Sequence, residues 1–243
     1  MLSGFGIISG VSPYAQEAAA TQAYGAIGAD KWGDIYRYTR IISTGTDLIA
    51  GNLIVALTEE ANHQNVVLSA AAAIGDTLVI PTVGATAVDA NEYDQGWLVF
   101  NDVSPEGETY RVLTHEANAG SLATDVNLER GLITAATTSS EVSLVRNPWN
   151  NPAISQLIDE RAAGVAVVDW DVSVSNHGWL KVRGVNACLV DTQAITKGYL
   201  GAISDSVNGA VGVKSDMDAE DAICQAMATG TATEFNPMYF FID

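Results

Sequence analysis

The run Gly178-Trp-Leu-Lys-Val-Arg-Gly-Val-Asn-Ala-Cys-Leu-Val-Asp191 constrains this chain more than any other stretch. Its first half alternates, with Trp179, Lys181 and Arg183 on one side and Leu180 and Val182 on the other. A period of two marks a half-buried β-strand, because successive side chains leave opposite faces of a sheet. Gly184 offers a turn or bulge where a side chain would clash, so the stretch reads as two strands with a tight glycine between them. Val185 to Val190 resumes the strand with small or branched residues.

The same device recurs. Ile49-Ala-Gly51-Asn-Leu53, Ala73-Ile-Gly75-Asp-Thr-Leu78 and Ile195-Thr-Lys-Gly198-Tyr-Leu200 each bring an apolar residue to a turn glycine before a strand begins. Their spacing is not fixed, which speaks against a solenoid. Further strands are expected at Trp32–Ile42, Gly96–Asn101, Thr109–His115, Leu122–Leu128, Glu141–Val145 and Gly164–Ser175. Asp102-Val-Ser-Pro-Glu-Gly-Glu108 supplies a hairpin turn between two of them. A last hairpin joins Ala222–Ala228 to Phe235–Ile242; the alternation of Ile223, Gln225 and Met227 with smaller residues favours strand over helix. Asn151 and Pro152 form a helix start, cap and first position, for a short helix over Ala153–Ala163. Ala15–Ala23 allows one helical turn.

The expected fold is therefore mainly β: short antiparallel strands in one or two barrel- or sandwich-like domains, an extended N-terminal arm, and at most one or two short helices. The divisions are an arm over 1–30, a β domain over 31–147, a linker with the short helix over 148–164, and a C-terminal β domain over 165–243. At 243 residues the chain buries roughly 70–75% of its unfolded surface. The arm is apolar rather than charged, so it lies on a surface instead of extending into solvent.

The net charge of −18 repels phosphate backbones, and no basic patch offsets it, so nucleic acid is not an expected partner. No apolar run approaches the ~18 residues of a membrane span, and no basic n-region precedes an apolar stretch, so neither a span nor a signal peptide is expected. Cys188 and Cys224 form no framework of bridges and read as buried free thiols.

Asp169 and Asp171 flank Trp170; on a strand both carboxylates face one side about 7 Å apart, a separation a glycosidase pair uses. The simpler reading is a polar strand face beside an inward Trp170. Asp216-Met-Asp-Ala-Glu-Asp221 begins like a calcium loop, but its sixth position is Asp221 rather than glycine and its twelfth is Met227 rather than Glu. His63, His115 and His177 stand in no metal spacing and read as structural. Gly-x-Ser-x-Gly and phosphate-loop patterns are absent. No catalytic, cofactor or metal residue is assigned, and an enzyme is not expected. Trp32, Tyr36, Tyr38, Trp97, Trp149 and Trp179 read as core or subunit-contact residues, or as a sugar-binding platform.

One order of segments carries a resemblance. Asp34-Ile-Tyr-Arg-Tyr38, Gly51-Asn-Leu53, Asn91-Glu-Tyr-Asp-Gln-Gly-Trp-Leu-Val-Phe-Asn-Asp102, Glu106-Gly-Glu-Thr-Tyr110, Gly178–Gly184 and Glu234-Phe-Asn-Pro-Met-Tyr-Phe-Phe-Ile-Asp243 follow in sequence. Over most of residues 20–243 the chain resembles tailed-bacteriophage virion proteins described as capsid decoration, or cement, proteins. The resemblance implies a β-rich protein on the outer surface of the capsid, made in the host cytoplasm. It implies a homotrimer bridging major capsid subunits, with arm contacts to its neighbours and no cofactor. Tyr14, Tyr24 and Trp32 are the expected capsid or subunit contacts. The alternatives are a tail or fibre adhesin for host-surface glycans, with exposed aromatics near the 102–108 and 216–221 loops, and a carbohydrate-active enzyme using Asp169 and Asp171.

Overall fold

A computed structural model describes residues 6–41, 48–155, 161–171, 177–213 and 222–242. It is nearly all β; the helix among the described residues is one 3-10 turn, Ala61–His63. Two compact units share the chain. One consists of residues 1–57 and 151–243, and the other, residues 58–150, is inserted within it. This differs from a division into 31–147 and 165–243, because residues up to 57 pair with strands that follow 151 rather than with their nearer neighbours in sequence.

The first unit opens with β1 (Ile8–Ser9), β2 (Ile27–Ala29), β3 (Ile35–Arg40) and β4 (Leu53–Val55). The insert contributes β5 (Val66–Val67), β6 (Leu78–Val79), β7 (Trp97–Asp102), β8 (Thr109–His115), β9 (Val126–Leu128) and β10 (Glu141–Val145). The first unit then resumes with β11 (Ala153–Ile154), β12 (Ala162–Val165), β13 (His177–Val190), β14 (Leu200–Ile203), β15 (Ala210–Val213), β16 (Cys224–Ala226) and β17 (Phe235–Phe241).

A closed barrel of five strands runs β13-β15-β14-β16-β17 and back to β13. Its closure follows the period of two in β17. Asn236, Met238 and Phe240 point inward and are buried, while Phe235, Pro237, Tyr239 and Phe241 stand outside. Cys188, Val190, Val211, Cys224 and Ala226 meet them in one apolar core.

Strand β13 is single and continuous, so the expected pair of strands around Gly184 is corrected. Gly184 adopts φ +114° within the strand, and a Cβ there would lie 2.0 Å from Asp34 Oδ1. Glycine is thus required at this position while the strand runs on without a turn. Strand β13 pairs with β3 over His177–Arg183 and with β17 over Arg183–Leu189, the two pairings overlapping at Arg183. The pairing with β3 also carries a bulge between Lys181 and Arg183. The half-buried reading fails over His177–Val182, where every residue is buried. Leu180 packs with Ile41, Leu48, Ile54 and Trp170, while Trp179 lies under the β2–β3 hairpin. A Cβ on Gly28 would come within 2.6 Å of the Trp179 ring, so glycine permits that close approach.

Three other expectations are corrected. Ala153–Ile154 and Ala162–Val165 are strands paired with β4, not parts of a helix; 156–160 lie outside the described residues. The Asn-Pro signal is overridden because pairing with β4 buries Ile154, Ala163 and Val165, and tertiary packing outweighs local helix propensity. The strand expected over Gly164–Ser175 ends at Val165, with Trp170 in an isolated bridge to Leu48 and 172–176 outside the described residues. Residues 6–30 do not form an extended arm: β1 and β2 are the edge of the sheet, and Ala15–Ala23 contains no helical turn. Backbone bonds in both directions between Glu17 and His177 fasten this segment to β13.

The insert is an antiparallel sheet in the order β5-β10-β7-β8-β9-β6. The hairpin expected around residues 102–108 is present as β7 and β8. Its apolar core includes Tyr93, Leu98, Phe100, Tyr110, Val112 and Leu144, all from the insert itself. The terminal hairpin of β16 and β17 also forms as expected.

Candidate functional site

The first unit holds a cleft of about 590 Å³ beside the β2–β3 turn. The turn is built by Asp30. Its Oδ1 accepts the Trp32 N–H at 2.8 Å and the Asp34 N–H at 3.1 Å, and its Oδ2 accepts the Tyr36 hydroxyl at 3.1 Å. These bonds outweigh the opposing effect of burial and hold the Asp30 carboxyl below its ordinary range. The turn projects Trp32, which is 80% exposed, and the Lys31 ammonium sits 4.9 Å from its ring centroid. Tyr14, 69% exposed, lines the cleft with Trp32.

The floor is polar and fixed. Lys181 is buried and donates from Nζ to Asp34 Oδ2 at 2.6 Å and to the Val185 carbonyl at 2.8 Å. Its ammonium lies 5.5 Å from the Tyr36 ring centroid. Burial, and then the charges of Asp30 and Asp34, push the Tyr36 phenol far above its usual pKa. Asn186 completes the lining from β13, its amide donating to the Ala187 carbonyl at 2.9 Å.

The structure therefore brings Tyr14 and Trp32 together and separates Tyr24 from them. Tyr24 is 8% exposed, with its ring stacked on His177 at 6.1 Å and under the Arg40 guanidinium. It belongs to the interior of this chain and is corrected as a contact for another one. Tyr36, Tyr38 and Trp179 are likewise buried. Reading the sequence missed Asp34, Lys181 and Asp30 as one group. The Asp30–Asp34 turn carries a local signal, an Asp whose carboxylate can cap the N–H groups two and four residues on, with Gly33 between them. The Asp34–Lys181 pair carries none, because only the pairing of β3 with β13 joins them.

Asp169 and Asp171 are not on a strand. Asp169 Oδ1 accepts the Ala50 N–H at 2.8 Å, so that carboxylate ties two loops together. The 216–221 segment lies outside the described residues. Among the described residues no group of three or more His, Cys, Asp or Glu is arranged to hold a metal ion. Cys188 and Cys224 are free and buried in the barrel; burial pushes both thiols up, Cys224 to about 12. In the insert, His63 Nε2 donates to the Thr86 carbonyl at 3.2 Å and Nδ1 accepts from the Tyr93 hydroxyl at 2.5 Å. His115 Nε2 accepts the Tyr93 N–H at 2.9 Å. These rings hold Tyr93 within the insert core.

The insert also carries an aliphatic surface. Ile74 and Ile133 are 69% and 63% exposed. The Gly75 N–H donates to the Leu132 carbonyl at 2.8 Å, which sets their two loops side by side. Ala70, Ala71, Leu78 and Ile80 line a groove of about 370 Å³ beside Asp76.

Comparison with protein-family models, with curated proteins and with solved structures finds no match.

Proposed function

We propose that this chain is a structural virion protein that binds the outer surface of a phage capsid and stabilises contacts between major capsid subunits. The observation that carries this reading is the aliphatic surface of the insert, where Ile74 and Ile133 stand on neighbouring loops with exposed alanines and Leu78. Apolar side chains gathered in this way favour a protein partner, since covering them returns ~25 cal/mol per Å² before ordering costs. The resemblance to decoration proteins supplies the identity of that partner and the trimeric state. The acidic surface supports it as well: a net charge of −18 keeps a protein displayed at high density soluble and off the genome.

The test is co-sedimentation with shells of the cognate major capsid protein. The native chain sediments with the shells, while an Ile74→Asp, Ile133→Asp double variant loses at least about tenfold in affinity, the scale of one or two lost interface anchors. Both side chains are exposed, so the variant keeps the native thermal midpoint. Equal sedimentation of the two proteins contradicts the reading.

A further inference from the structure

We propose that the cleft between Tyr14 and Trp32 is a binding site for an uncharged pyranose sugar. This goes beyond capsid attachment, which rests on the insert. A volume of about 590 Å³ lies within the range of small-ligand sites, roughly 300–1,000 Å³. Its rim and floor differ in chemistry. The rim offers two exposed aromatic rings, and the floor offers carboxylates, an ammonium and an amide held in place by hydrogen bonds. A pyranose has the matching division: a C–H face that lies on an aromatic ring, and an edge of hydroxyls that both donate and accept.

Charge narrows the class. Asp30 and Asp34 are balanced by Lys31 and Lys181, so the cleft carries no excess of either sign. An acidic sugar meets the field of a chain with net charge −18. A cationic ligand finds the Trp32 ring already engaged by Lys31, and Asp34 already paired with Lys181. A neutral pyranose needs no countercharge, and it can use the Trp32 face away from Lys31 and the Tyr14 ring. Lys181 uses two of its three N–H donors within the protein, leaving one for a hydroxyl, and the Asn186 carbonyl oxygen can accept another. The fixed floor also lowers the ordering cost of binding, because Lys181 and Asp30 are already immobilised.

The experiment screens the full chain on an array of uncharged oligosaccharides built from glucose, galactose, mannose and N-acetylhexosamines, with sialylated and uronic-acid glycans as the charged comparison. Titration calorimetry follows on any ligand found. The expected result is binding to at least one neutral glycan, weakened at least about tenfold by Trp32→Ala and measurably by Tyr14→Ala, with shell co-sedimentation of both variants unchanged. Absence of binding across the neutral set, binding confined to charged glycans, or binding retained in the Tyr14→Ala, Trp32→Ala double variant overturns the proposal. Loss of shell binding in Trp32→Ala without any sugar binding also overturns it and makes the cleft a protein contact. Failure of the Ile74, Ile133 variant test leaves these outcomes unaffected, so the two ideas fail separately.

Discussion

At the scale of single residues, Gly184 organises the first unit. It sits at φ +114° and leaves room for the Asp34 carboxylate, which holds the Lys181 ammonium below the cleft. A Gly184→Ala variant combines left-handed strain with a 2.0 Å approach to Asp34 Oδ1. Unfolding in urea is expected to show a loss of at least about 2 kcal/mol, from strain of ~1–3 kcal/mol and displacement of the ion pair. An unchanged midpoint contradicts this role. The residue scale also marks where sequence reading stops. The local source of Tyr14 and Trp32 exposure, a turn at Pro13–Tyr14 and one before Gly33, is legible in the sequence, although Trp32 is expected there as the start of a strand. Burial of Tyr24 was not, because it depends on His177 and Arg40, which arrive from other strands.

At the scale of elements, alternation proved the most readable signal. Thr109–His115 and Glu141–Val145 are strands over the expected bounds, and the β16–β17 hairpin follows the inward and outward pattern of its side chains. Local signals failed where tertiary pairing opposed them. Asn151-Pro152 suggests a helix start, yet β4 recruits the residues that follow as strands. Gly184 suggests a break, yet pairing with β3 and then β17 carries the strand through it. The N-terminal segment is apolar because it forms a sheet edge, with His177 at its fastening point. His177 faces Tyr24, Tyr38, Arg40 and Glu17. Burial, and then the Arg40 charge, lower its pKa from the ordinary 6.5. The unfolded chain takes up that proton first, so stability is present above about pH 6.5 and falls as pH drops from there toward the lowered folded value. Asp30 and Asp191, whose folded values are lowered, lose their contribution only below about pH 4, outside this window. Urea unfolding at pH 7.5 and 5.5 is expected to show a smaller pH difference for His177→Gln than for the native chain. Equal differences contradict a depressed His177.

At the scale of the whole molecule, the insert and its host each own a core. The two ends of the insert are tied together: the Arg146 N–H donates to Glu59, and its guanidinium donates to the Thr58 carbonyl. Residues 58–150 alone are therefore expected to unfold in a single cooperative transition with near-UV dichroism lost in step; a broad transition contradicts the division. The linker expected over 148–164 contains the junction after Asn150, whereas nothing in the sequence marks the junction after Leu57, since the first unit closes only when residues 35–55 pair with strands more than a hundred positions later. The arrangement gives each unit its own surface, an aliphatic one on the insert and a polar-floored aromatic cleft on the host. The proposed function is attachment to a capsid. A cryo-electron-microscopy reconstruction of the virion tests it most directly by locating the protein and counting its copies. The expected result is density for this fold across the outer shell at the joints between major capsid subunits, with the Ile74 and Ile133 loops against a neighbour. Density confined to a few copies at the tail, or none on the particle, contradicts it.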